Sequence, residues 1–169
     1  MDYIKLVGVY EALNSTTKRL EKTSIISDFF RDVGIDDIEH VTLLLEGRIF
    51  ASYDAREIGV ASRLMLKALS VSIGVETGRI ENEWKRKGDL GLVAESLTKS
   101  KKQATLHSGK LTTKKVFDNL RKLAGLVGQG AVERKMQLIA ELLSSAAPLE
   151  SKYIVKTILG EMRIGVGEG

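Results

Sequence analysis

The chain contains no cysteine, which excludes disulfides, thiol catalysis and zinc–thiolate sites. It has one proline in 169 residues, so almost nothing interrupts a helical backbone. Aromatic residues make up only 5% of the chain. The two histidines, His40 and His107, lie far apart, and neither has a metal-ligating neighbour at usable spacing. Long apolar runs are also missing. The longest, such as "VTLLL", cannot span a bilayer, and the N-terminus carries no signal-peptide pattern. A reducing, cytoplasmic setting without a membrane partner fits these absences. No Gly-x-Ser-x-Gly elbow occurs, and no Gly-x-x-x-x-Gly-Lys-Ser/Thr phosphate loop. By itself the chain shows no catalytic constellation and no metal site.

What is present describes one globular domain, 43% apolar and 28% charged, long enough for a hydrophobic core. The net charge of +4 is unevenly spread. Between Lys99 and Lys135 ten lysines and arginines are opposed only by Asp118 and Glu133. Such a segment suits a polyanion such as nucleic acid. Charge alone fits a solvated lysine surface equally well.

Apolar spacing predicts helices throughout. Ile25, Ile26, Phe29, Phe30 and Val33 share one helical face. In "DDIEHVTLLL", Asp36 and Glu39 have capping-box spacing, and His40 reads as a surface residue. "VASRLMLKALSVSIG" repeats the pattern, as does "TTKKVFDNLRKLAGL" with Thr112 as its N-cap. Pro148 suits the first turn of a helix through "LESKYIVKTILG". The expected fold is all-α, a compact domain of about nine helices joined by short turns. Shifting the chain by 113 residues pairs Ile25 with Leu138, Phe29 with Leu142, Val41 with Ile154 and Gly47 with Gly160. That match predicts a pseudo-twofold internal repeat, each half ending in a glycine–basic corner.

Four corners, "GRIF", "REIGV", "KGDLG" and "MRIGVG", place glycine at the junction of two predicted helices. Glycine permits positive φ and close approach of another backbone. The first amides of a following helix suit a phosphate, and a nearby arginine can contact phosphate or enter a minor groove. "GVGEG" superficially matches a dinucleotide fingerprint. It follows a predicted helix rather than a strand, so that reading fails.

The stretches "LEKTSIISDFF", "EGRIFASYDAREIGVASRLMLKAL", "KGDLGLVAE", "LTTKKVFDNLRKLA" and "ERKMQLIAELLSSAAPLESKYIVKTILGEMRIGVGEG" carry a further signal. They resemble, in order and over nearly the whole chain, the N-terminal DNA-binding domain of ATP-dependent DNA ligases of the archaeal and eukaryotic replicative type. The resemblance implies that residues 1–169 form a pseudo-twofold, all-helical domain gripping the minor groove on both sides of a nick. It also implies a parent enzyme that seals DNA in replication, repair and recombination, with adenylation and OB-fold domains. The parent would use ATP and Mg²⁺, with its nucleophile in a Lys-x-Asp-Gly motif. This chain has no Lys-x-Asp-Gly, so it reads as an inactive fragment with no cofactor of its own. Its last residues are expected to lead into helices that complete the domain. The implied setting is cytoplasmic and nucleoid-associated through DNA.

Carried over by position, the implied DNA contacts centre on Gly160, Arg163 and Gly165, with Gly47 and Arg48 at the repeat-related corner. Thr16, Thr17 and Arg19 fall in another backbone-approaching turn, whose repeat partner offers Gly130, Arg134 and Lys135. Gly88 and Gly91 of "KGDLG" complete the set, with Asp89 as a helix cap. In the loop "KKQATLHSGKLT", Gln103, Leu106 and His107 match in part a segment with which archaeal relatives bind a sliding clamp. His107 stands where an aromatic residue is often found. The rival reading from the residues is a helical-repeat protein-interaction module whose glycine corners only turn the chain.

Overall fold

The computed structural model describes residues 1–101 and 110–166. Among the described residues lie nine α-helices, one 3-10 turn, and no strand beyond an isolated bridge between Asp2 and Thr112. The helices are α1 (Tyr3–Asn14), α2 (Arg19–Arg31), α3 (Ile38–Leu45), α4 (Ser62–Ile73) and α5 (Thr77–Lys87). They continue as α6 (Leu90–Ser100), α7 (Thr113–Gly125), α8 (Ala131–Ser144) and α9 (Pro148–Leu159). The expectation of a compact all-α domain holds.

The centre is α1. Tyr3, Leu6, Val7, Tyr10 and Leu13 recur every three or four residues and are all buried, as a helix enclosed by neighbours requires. It packs against α2, α3, α7 and α9. Tyr10 stacks tilted on Tyr153 with ring centroids 4.7 Å apart, and its hydroxyl donates to the Leu44 carbonyl at 2.7 Å. Thus α1 joins the C-terminal turn of α3 to the middle of α9.

The second axis is α9, which lies along α6. Buried Tyr153, Ile154, Val155 and Ile158 supply its apolar face, and Pro148 occupies its first turn as expected. Its lysines add cross-links: Lys152 pairs with Glu11 at 2.6 Å and Lys156 with Asp89 at 2.5 Å. Asp89 also caps α6, accepting from the Leu92 amide at 3.0 Å. Thr112 caps α7 in the same way, accepting from the Lys115 amide at 3.1 Å. Both caps were legible in the sequence.

Two expectations fail around α3. The Asp36–Glu39 capping box does not form; a 3-10 turn over Ile35–Asp37 precedes the helix, and Asp37 stands at its N-cap. Instead, the Asp37 carboxylate accepts from the Met1 ammonium at 3.0 Å and faces His40 at 3.1 Å. His40 is not a surface residue but only 6% exposed, because α7 packs over it. Its Nε2 lies 2.9 Å from the Thr113 hydroxyl, and burial holds the imidazole below its ordinary pKa.

Candidate nucleic-acid interface

Helices α3 and α9 end in the same way. At α3, the Gly47 amide donates to Leu44 and the Arg48 amide to Leu43, each at 2.9 Å. At α9, the Gly160 amide donates to Thr157 at 3.2 Å and the Glu161 amide to Lys156 at 2.8 Å. Both endings have a glycine in the left-handed region, φ +73° at Gly47 and +68° at Gly160. This is a Schellman ending, which satisfies the last carbonyls and turns the chain sharply. The two ends touch: a Cβ on Gly47 would lie 2.6 Å from the Cβ of Met162. A side chain there is therefore excluded by conformation and by space.

Beyond each end the chain forms a second turn at an Ile-Gly-Val sequence, residues 58–60 and 164–166. A lysine from a neighbouring helix holds each. Lys135 of α8 donates to the carbonyls of Ile58 at 3.1 Å and Gly59 at 3.0 Å. Lys22 of α2 donates to the Ile164 carbonyl at 2.7 Å. Ile164 is buried at 4% exposure, whereas Arg163 and Gly165 on either side are exposed. The corner thus sinks one side chain into the core and presents its neighbours outward.

The long connection from α3 to α4 is braced from α7. Arg121 donates to the Ile49 carbonyl at 3.0 Å and lies over the Phe117 ring at 4.4 Å. Arg56 stacks over Phe50 at 4.2 Å and forks onto Asp54. Hydrogen bonds from the Arg56 side chain and amide pull the Asp54 carboxyl down to about 2. Between this connection and the end of α9 lies a cleft of about 700 Å³, lined among others by Gly47, Arg48, Phe50, Arg56, Gly59 and Gly160.

The structure brings six of the thirteen expected positions to this neighbourhood. Gly47, Arg48 and Gly160 line the cleft, and Arg163 and Gly165 lie on the chain that leaves it. Lys135 reaches it through Ile58 and Gly59, so its ammonium is engaged by carbonyls. Arg134 donates back to the Gln129 carbonyl at 3.3 Å, bracing the turn that contains Gly130. Thr16, exposed Thr17 and Arg19 lead into α2, the helix that carries Lys22, and Thr16 bonds Glu21 at 2.5 Å. Gly88 and Gly91 lie apart from the cleft lining. Gly88 ends α5, and Gly91 is buried where α6 crosses α9. Gln103, Leu106 and His107 lie outside the described residues.

Lys22 and Arg56 were not among the expected positions, and Arg121 was expected only as part of the basic segment. Lys22 was findable, since it stands 113 residues before Lys135. The basic segment also reads differently in three dimensions. Lys99 pairs with Glu95, Lys114 with Asp118, Lys101 with the Ser72 carbonyl and Arg121 with the α3–α4 connection. Much of its charge is spent within the domain.

Fold and site together define an all-helical module built around paired glycine–basic helix ends that flank one cleft. Its sequence matches the family described as DNA ligase N terminus over residues 2–169, and the chain belongs to that family. It is 45% identical to a DNA ligase of Methanosphaera stadtmanae over 99% of this chain and 30% of that protein. A DNA ligase of Thermococcus fumicolans is 43% identical over 100% of this chain and 30% of its own length. One of Cenarchaeum symbiosum is 36% identical over 99% and 28%. The chain therefore spans about 30% of the length of these relatives. No described helix is long and apolar enough to cross a membrane.

Proposed function

We propose that this chain is the DNA-binding part of an ATP-dependent DNA ligase. It holds nicked duplex through phosphate-backbone and minor-groove contacts while the remainder of the parent seals the break in replication and repair. The observation that carries this reading is the pair of matching helix ends in mutual contact, Gly47–Arg48 and Gly160–Arg163. Two like corners fixed against each other suit a ligand with two like strands. Arg163 is exposed there, and the corners carry little that could read a base edge. Membership of the ligase family supports the choice of DNA over another extended anion.

The described residues include no group of three carboxylates or histidines placed to hold a metal ion, and the chain has no Lys-x-Asp-Gly nucleophile. No phosphoryl-transfer step is assigned to these residues. That chemistry belongs to the parent's other domains. What this chain does is bind and orient the duplex. A sliding-clamp contact through Gln103, Leu106 and His107 is part of the same proposal, and nucleoid association would follow from DNA binding.

The test is a gel-shift series on nicked duplex at rising salt. Binding should fall steeply, with log affinity linear in log salt at roughly −0.9 per phosphate contacted. Arg163→Ala should weaken binding to unrelated sequences alike and reduce the slope by about one. Salt-independent binding, or a loss confined to particular sequences, would rule out backbone recognition.

A further inference from the structure

Lys22 belongs to none of the turns that a DNA backbone would touch first, yet it reaches the exposed corner across more than a hundred residues of sequence. Its ammonium donates to the Ile164 carbonyl at 2.7 Å, and a Cβ on Gly165 would clash with it. Gly165 has φ +64°, so the backbone turns there in a conformation that side chains rarely adopt. Below the corner, the Ile164 side chain is buried in the core. The segment is thus pinned twice, by the apolar side chain from inside and by the lysine at its carbonyl. Arg163 and Gly165 are what those two pins leave exposed.

The arrangement occurs twice. Lys135 donates to Ile58 and Gly59, and Gly59 has φ +62°. A Cβ on Gly59 would lie 3.2 Å from the Lys135 ammonium. Lys22 and Lys135 stand 113 residues apart, the shift that relates the two glycine helix ends, while Ile58 and Ile164 stand 106 apart. The difference is seven residues, the extra length of the α3–α4 connection between its glycine end and its Ile-Gly-Val turn. A lysine that keeps hold of its turn despite that insertion is tied to the turn itself.

We propose that Lys22 is a positioning residue for DNA binding, acting through the Arg163–Gly165 corner and not by touching DNA. This rests on the function proposed above. Hydrogen bonds from charged donors are the stronger kind, and this one fixes a segment with no helix of its own. Without it the corner samples other conformations, and binding must first reorder it.

The experiment pairs a measurement on the free protein with one on the complex. In the full chain, Lys22→Met keeps the aliphatic stem and removes the donor. Its NMR spectrum should show increased mobility at the amides of Arg163 to Val166, while the melting temperature stays within about 2 °C of wild type. Amides as ordered as in wild type, or a large fall in melting temperature, would overturn the proposal. With nicked duplex, Lys22→Met alone should weaken binding about tenfold. On an Arg163→Ala background it should cost less than about threefold, because the two residues act through one corner. A full additional loss on that background, with the salt slope reduced by a further ~0.9, would make Lys22 a phosphate contact and defeat the idea. If the wild-type chain binds no duplex, the functional reading falls, and the free-protein arm still decides whether Lys22 holds the corner.

Discussion

At the scale of single residues, "KGDLG" shows how one short sequence can suit two roles. As text it resembles the glycine corners that suit a phosphate. In the structure, a Cβ on Gly91 would lie 2.8 Å from the Lys152 carbonyl and 2.9 Å from Lys156 Cγ. Gly91 is therefore a crossing point of α6 and α9, where only hydrogen fits. Gly91→Ala should destabilise the domain by about 1–3 kcal/mol, the usual cost of overpacking a tight contact. A urea denaturation series measures this as a lower midpoint at unchanged slope. DNA affinity at low temperature, where the variant is still folded, should remain that of wild type. A selective loss of affinity without destabilisation would restore Gly91 to the binding surface.

Among the elements, α9 is seated in part by two ion pairs, and these make its seating sensitive to acid. Glu11 is partly desolvated, which raises its pKa, but hydrogen bonds from Lys152 and Tyr153 outweigh this and hold it below 4.5. Asp89 balances in the same way: desolvation is outweighed by Lys156 and the Leu92 amide, and its carboxyl is held below 3.8. A carboxyl depressed in the folded state contributes stability that is complete above its unfolded pKa. That stability is lost as pH falls through the folded value. Glu150, raised by burial against the amide bond from Ala147, has the opposite sign and softens the decline. The melting temperature should therefore hold steady above about pH 5 and fall below it. Asp89→Asn should flatten the acid limb and lower the plateau, as calorimetry across pH can show. The helices themselves, with the caps at Asp89 and Thr112 and the first-turn Pro148, were legible because caps and apolar spacing are local. His40 and the failed capping box were not. Their environments are set by Met1 and Thr113, which no spacing within α3 can announce.

For the molecule as a whole, the two glycine ends were visible in the sequence as a shift of 113 residues. What could not be read was which cations remain to meet a ligand, since that depends on partners far along the chain. Lys135 and Arg121 are examples, each engaged by carbonyls more than seventy positions away. Burial is also unevenly distributed, and this has a dynamic consequence. Helix α2 contributes no fully buried residue; its apolar face of Ile25, Ile26, Phe29 and Phe30 is only half-covered. By contrast α9 buries seven residues among its twelve. Local opening is cheapest where few apolar contacts are lost, so α2 should open before the α1–α6–α9 core. In native-state hydrogen exchange, α2 amides should exchange well ahead of those in α9. Yet α2 carries Lys22 and follows the turn of Thr16 and Thr17, so opening it would also release the Ile164 corner. If that corner binds DNA, opening must break the complex, and bound duplex raises the opening cost by RT ln(1 + [L]/Kd), about 2.7 kcal/mol at a hundredfold excess over Kd. Saturating nicked duplex should then slow α2 exchange by about a hundredfold while leaving amides that open only globally to follow the same linkage. Unchanged α2 rates in the complex would mean that DNA binds without engaging either the Thr16–Arg19 turn or the corner that Lys22 holds.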